Sequence, residues 1–140
     1  MIAVDTSAIV AIAFGEPERG PFLAAILASE RAYISSVSVV EARMVVHGRR
    51  GERAVALLDD LLQLPPFEIL PPGRAEMDAA SAAFVVYGKG SGHPAGLNFG
   101  DLFSYALAKV RGLPLLFKGD DFVHTDIEPA LPGAPALPQR

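Results

Sequence analysis

Asn98-Phe99-Gly100-Asp101-Leu102-Phe103-Ser104-Tyr105-Ala106-Leu107-Ala108-Lys109 is the stretch around which the chain is organised. Phe103, Ala106, Leu107 and Val110 follow the spacing of one helix face. Gly112 and then Pro114 stop that helix. Asp101 stands at its start, beside a glycine that adds no side chain to crowd a ligand. An acid there has a structural use of its own, capping the helix and favouring its N-terminal dipole. Its second meaning comes from the other carboxylates of the chain, which stand at positions able to meet it.

Downstream, Leu115-Leu116-Phe117 reads as a strand, followed by Lys118-Gly119-Asp120-Asp121-Phe122, and Asp126-Ile127 begins a last short strand. From Glu128 the prolines at 129, 132, 135 and 138 predict a frayed tail, which leaves residues 1–127 as one domain. Upstream, Gly88 to Leu97 holds four glycines and a proline and reads as a mobile surface loop. Before it come a helix over Arg74–Tyr87 and a strand over Phe67–Leu70, with Pro65-Pro66 ending the preceding helix, Glu52 to Leu64. Gly48 and Gly51 bracket a break between that helix and one carrying Val39, Val40, Glu41, Met44 and Val45. Ala32-Tyr33-Ile34 is a strand, and a helix opened by Pro17 runs to about Glu30. Ile2-Ala3-Val4 is a buried strand ending at Asp5, and an apolar helix follows from Ala8 to Phe14. Strands separated by helices predict an α/β domain on a mainly parallel sheet of four to five strands. Ligands of such sheets sit beyond the carboxyl ends of the strands, where Asp5 and the pair Asp120 and Asp121 fall.

With 140 residues, 51% of them hydrophobic, the chain is long and apolar enough for one domain with a substantial core. No run spans a bilayer, and Ile2-Ala3-Val4-Asp5 lacks the basic region of a signal peptide, so a cytoplasmic location is expected. The absence of cysteine excludes disulfides, thiol catalysis and thiolate metal sites. A net charge of −4 argues against a large nucleic-acid surface driven by charge alone. Arg43, Arg49, Arg50 and Arg53 gather against a single acid, Glu52, as either a phosphate-contacting edge or a solvated helix end.

Each acid also has a structural use. Asp5 can cap the first helix, and Ser38-Val39-Val40-Glu41 matches a capping box. Asp120 suits a turn and Asp121 the cap of a short terminal helix. Glu41 is flanked by Val37, Val39, Val40, Met44 and Val45, which predicts a largely buried helix on which an unpaired charge is expensive. Were it to meet Asp5 and Asp101, two unit charges 4 Å apart would cost roughly 4 kcal/mol at an effective dielectric of about 20. A divalent cation, or protonation, makes such a cluster tolerable. All-oxygen ligands suit Mg²⁺ or Mn²⁺ rather than zinc. His47, His93 and His124 are too dispersed for a local metal motif, and no Gly-x-x-x-x-Gly-Lys phosphate loop is present.

Val4-Asp5-Thr6-Ser7-Ala8, the internal Glu41, Asn98-Phe99-Gly100-Asp101 and Lys118-Gly119-Asp120-Asp121-Phe122 together resemble the PIN-domain ribonucleases, specifically VapC-type toxins of bacterial toxin–antitoxin pairs. The resemblance covers residues 1 to about 127. It implies a PIN-like α/β/α sandwich and a Mg²⁺-dependent endoribonuclease. By position, Asp5 and Asp101 would be the principal metal ligands, and Glu41 would complete the cluster. Asp121 would be the fourth acid, since the family pattern sets that acid directly before an aromatic, here Phe122; the adjacent Asp120 is the alternative. Thr6 or Ser7 would supply a supporting polar contact near the metal. The resemblance also implies homodimers, inhibition by a VapB-type antitoxin, and DNA contact only through that antitoxin. RNA would be cut by metal-activated water, with the arginines from Arg43 to Arg53 holding flanking phosphates.

Two other classes compete. A catalytically silent module would keep the fold and bind a partner. A Mg²⁺-dependent aspartate phosphoryl-transfer domain could use Asp5, but its pattern wants a second Asp where Ser7 stands.

Overall fold

The computed structural model describes residues 1–131. Its strands are β1 (Ile2–Val4), β2 (Ala32–Ser35), β3 (Phe67–Leu70) and β4 (Leu115–Leu116), and its helices are α1 (Thr6–Ala13), α2 (Arg19–Leu27), α3 (Ser36–Leu61), α4 (Arg74–Tyr87) and α5 (Phe99–Arg111). The sheet is parallel throughout, in the order β3-β2-β1-β4. The chain first builds β1, β2 and β3 toward one edge, then crosses back to set β4 on the other side of β1. The strand order reverses between β1 and β4, which is where sheets of this kind open a crevice.

The side-chain period of a strand is two, and the two cores follow it. Ile2, Val4, Ala32, Ile34 and Leu116 pack with α1, α2 and α3 on one face. Ala3 and Leu115 pack with α4 and α5 on the other. Short as it is, β1 is buried along its whole length, as a central parallel strand covered on both faces must be.

Among the described residues the sheet has four strands, the lower end of the expected four to five. Asp126-Ile127 does not pair; instead Leu115 donates to the Glu128 carbonyl (2.9 Å) and accepts from the Ala130 N–H (2.8 Å). Ala130 and Leu131 then pack against the α1–α3 core, so the chain is tied to the sheet past residue 127. The rest of the expected tail lies outside the described residues.

The Gly88–Leu97 loop has a more structural part than its composition predicts. Ala95 and Leu97 are buried, and the His93 ring meets Tyr87 edge-on at 4.9 Å. Among the described residues, no helix is long and apolar enough to cross a membrane.

Candidate metal centre

Asp5 follows β1 directly and caps α1, where its Oδ2 accepts hydrogen bonds from the Ser7 N–H (3.0 Å) and hydroxyl (2.7 Å). The residue is 2% exposed, and its other oxygen, Oδ1, is buried with no hydrogen-bond partner. A carboxylate oxygen out of water and without a donor is costly. That orphaned oxygen is what a bound cation would satisfy.

Asp101 enters from α5. Asn98 and Asp101 cap each other reciprocally: the Asp101 N–H donates to Asn98 Oδ1 (2.9 Å) and the Asn98 N–H to Asp101 Oδ2 (3.1 Å). Asn98, not Asp101, is therefore the N-cap; Asp101, the third residue of the helix, is its partner in a capping box, which fixes the carboxylate rather than competing with a ligand role. Burial, and then the negative charge of Asp5, push the Asp101 carboxyl up to about 7; Asp121 and Glu41 push the same way, against the Asn98 hydrogen bond. Asp5, Asp121 and Glu41 thus all bear on the Asp101 carboxyl.

Glu41 lies half-exposed on α3, between the exposed Val40 and Met44, rather than on a buried helix. It is pressed against Gly100, where an added Cβ would overlap the Glu41 carboxylate. The glycine beside Asp101 thus makes room for another acid. Asp121 bears on Asp101, whereas Asp120 lines a separate groove with Phe22 and Leu131.

The two hydroxyls after Asp5 do different things. Ser7 Oγ donates to Asp5 and accepts from the Lys118 N–H (2.9 Å), so it ties the first acid to the loop that carries Asp121. Thr6 is turned away from the acids: its hydroxyl donates to the Ser38 carbonyl (3.2 Å) and joins α1 to α3. Sequence reasoning missed two further parts. Lys118 Nζ lies 2.9 Å from Glu16 Oε1 and 3.3 Å from Glu18 Oε1, the second an ion pair without hydrogen-bond geometry, and these clasp the loop to the turn after α1. Ser38 and Ser104 share a buried hydroxyl–hydroxyl bond of 3.1 Å between α3 and α5. Ser38 is three residues before Glu41 and Ser104 three after Asp101, so each serine shares a helix face with its acid. Nothing marked the two serines as partners in the sequence.

The arginines stand elsewhere. Arg43 pairs with Asp59 at 2.9 Å, and Arg49 and Arg50 lie over the Phe14 ring at 5.3 and 4.5 Å. Arg50 is nine residues past Glu41 on α3, about 13 Å along a helix axis. With Arg19 and Arg53 it lines a groove of about 640 Å³ that also takes in Ile12, Leu57, Leu61 and the acidic Asp60.

Among the described residues, no three His, Cys, Asp or Glu side chains already enclose a metal position. Asp5 offers an oxygen with no hydrogen-bond partner, and its charge bears on the Asp101 carboxylate. Mg²⁺ is held in this way, by one or two carboxylates with water filling the remaining positions, so the donor set fits a hard cation.

The PIN domain family matches residues 2–128 of the chain. Ribonuclease VapC30 of Mycobacterium tuberculosis is 46% identical over 126 residues, covering 90% of this chain and 95% of that protein. Ribonuclease VapC28 of the same species is 41% identical over 128 residues, covering 91% and 96%. Among solved structures, the sarcin–ricin-loop-cleaving toxin VapC20 of Mycobacterium tuberculosis superposes with a TM-score of 0.72 at 18% identity, covering 92% of this chain and all (100%) of that one. VapBC2 of Rickettsia felis, bound to a DNA fragment from its promoter, gives a TM-score of 0.70 at 19% identity, covering 92% and 96%.

Proposed function

The chain belongs to the PIN domain family, and from that premise we propose that it is a Mg²⁺-dependent endoribonuclease toxin, neutralised by a VapB-type antitoxin. The observation that carries the metal site is the buried, unpartnered Asp5 Oδ1 within electrostatic reach of Asp101. Asp5 and Asp101 would hold the cation, and Mn²⁺ would be able to take its place. When bound, the cation lowers the pKa of a water and polarises the phosphoryl oxygen.

This chain's own residues supply the rest. Glu41 accepts a proton from the attacking water as the water oxygen bonds to phosphorus; the bond to the leaving oxygen breaks, and that oxygen takes up a proton from solvent. Ser7 holds Asp5 Oδ2, leaving Oδ1 for the metal. Asp121, on a loop anchored through Ser7 and Lys118, would complete the acidic cluster. Single-stranded or looped RNA is the expected form, because its backbone can bend into an acidic cleft.

The structural neighbours include a toxin–antitoxin complex from Klebsiella pneumoniae, beside VapBC2 of Rickettsia felis. They support an antitoxin partner here, with a homodimer as the working assembly. The apolar groove rimmed by Arg19, Arg50 and Arg53 suits an amphipathic segment with acidic flanks.

The test is cleavage of mixed cellular RNA by purified, antitoxin-free protein in Mg²⁺, in Mn²⁺ and in chelator. Cutting should require metal, and Asp101→Asn should lower it by about a hundredfold or more with the circular dichroism spectrum unchanged. A folded protein that cuts under no condition would instead be a silent binding module.

A further inference from the structure

Lys118 stands between β4 and the short 3-10 turn Phe122–His124 that Asp121 opens, and it is held twice. Its backbone N–H donates to Ser7 Oγ (2.9 Å), in the first turn of α1. Its ammonium lies 2.9 Å from Glu16 Oε1 and 3.3 Å from Glu18 Oε1, in the turn that follows α1. The Glu16 N–H donates to the Ala11 carbonyl (2.9 Å), so the receiving turn is itself tied to that helix. The side chains of Lys118, Glu16 and Glu18 are 38, 31 and 35% exposed, whereas the members of every other ion pair among the described residues are 41% exposed or more. A pair sheltered in this way is screened less than an open one.

We infer that Lys118 is a positioning residue for the reaction: its clasp on Glu16 and Glu18 sets where Asp121 stands relative to Asp101. The inference rests on the nuclease reading and adds to it a residue that acts through the fourth acid. Asp121 makes no side-chain hydrogen bond to the turn it caps, so its carboxylate follows the backbone that carries it. That backbone is fixed on one side by Phe122, which is 2% exposed and meets the Phe117 ring at 5.2 Å. On the other side stands Gly119, at a φ of 104°, where an added Cβ would meet nothing within 4 Å. A glycine in open space holds its neighbours weakly, which leaves Lys118 as the fixed point before Asp121. The charge matters as well as the anchor. Ser7 Oγ joins the Lys118 N–H to Asp5 Oδ2, so the lysine backbone is one hydroxyl away from the first acid. A free ammonium there would pair with the acids and compete with the cation; the two glutamates hold it off.

The test compares Lys118→Met, Lys118→Arg, the double variant Glu16→Gln/Glu18→Gln, Asp121→Asn, and Lys118→Met combined with Asp121→Asn, each as purified antitoxin-free protein. RNA cleavage is read as kcat and KM, and Mn²⁺ binding as loss of the free-ion signal in electron paramagnetic resonance. Lys118→Met and Glu16→Gln/Glu18→Gln should each lower kcat by about tenfold or more and leave KM within about twofold. Lys118→Met should also weaken Mn²⁺ binding by about tenfold. Loss of a positive charge would by itself strengthen that binding, so the weakening reports position. Melting temperatures in chelator should change little, since the pair contributes little to stability. Lys118→Arg, which keeps the charge, should recover most of the loss. In the Asp121→Asn background, Lys118→Met should cost nothing further in kcat or in Mn²⁺ affinity. A loss that falls in KM, grows with salt and is absent from the glutamate variant would make Lys118 a phosphate contact and overturn the proposal. Equal losses in kcat with and without Asp121 would overturn it too, as would Mn²⁺ affinity indifferent to Lys118. Protein that binds Mn²⁺ with the coupling intact but cuts no RNA would keep the clasp and overturn the nuclease. No Mn²⁺ binding at all would overturn both.

Discussion

Asp101 carries the largest electrostatic strain of the centre, and the strain has a sign that can be measured. Its carboxyl titrates near 7 in the folded chain against 3.8 in the unfolded one. Between those values the folded state holds the proton more tightly, so this group's contribution to stability is complete below about pH 4 and lost as pH rises through 7. In chelator, thermal melts should therefore show the wild type losing stability relative to Asp101→Asn between about pH 4 and about pH 7. Added Mg²⁺ should restore the melting temperature of the wild type at the upper pH and have little effect on the variant. Gly100 offers a second residue-scale test. Gly100→Ala places a methyl where the Glu41 carboxylate now lies, so Glu41 must swing aside or α3 must shift. RNA cleavage should fall by about tenfold or more while the metal-induced rise in melting temperature persists, because Asp5 and Asp101 are untouched.

The acids meet because their helices are locked in register, and the lock is polar. Ser38 to Ser104, with Thr6 donating to the Ser38 carbonyl, joins α1, α3 and α5 inside the fold. Ser104→Ala should cost about 1–2 kcal/mol in denaturant titration, since it strands a buried hydroxyl. Ser38→Ala together with Ser104→Ala should cost less than the two single effects summed, because the pair is removed as a unit. Periodicity and caps made the elements themselves legible: the start and stop of α5, and the break at Gly51, whose φ of 79° interrupts α3. Gly48, read as part of that break, stays helical because nothing there requires a left-handed residue. Packing was harder to see. On α4 the spacing sets Met77, Ala80, Phe84 and Tyr87 in one register; Ala80 is buried and Tyr87 packs on the core, but Met77 and Phe84 are exposed and Ala83 is buried in their place. A close helix neighbour favours small side chains, and its distance is not written in the sequence of α4. The serine pair was hidden for a similar reason, its members standing 66 residues apart.

For the molecule as a whole, strand order decides where the acids go. Alternating strands and helices made the parallel sheet legible, and the carboxyl-end rule gave Asp5 and the β4 loop their place. The fate of the arginines was not legible, because a cluster in sequence does not reveal which end of a long helix it occupies. That separation of charge has a measurable consequence. With few cations near the cleft, the dependence of log(kcat/KM) on log[salt] at fixed Mg²⁺ should be shallow, matching release from about one or two phosphates. A slope equivalent to six or so phosphates would restore the arginines to the RNA path.

The loop between α4 and α5 divides the four acids evenly, with Asp5 and Glu41 before it and Asp101 and Asp121 after it. Lys89 to Ser91 is exposed there, and Gly90 and Gly92 take positive φ values. A cut at that point leaves two polypeptides that each carry half of the centre and are each inert. Toxicity then becomes a property of reassembly: expressed from separate promoters, the two pieces would form an AND gate, harming a cell only where both are made.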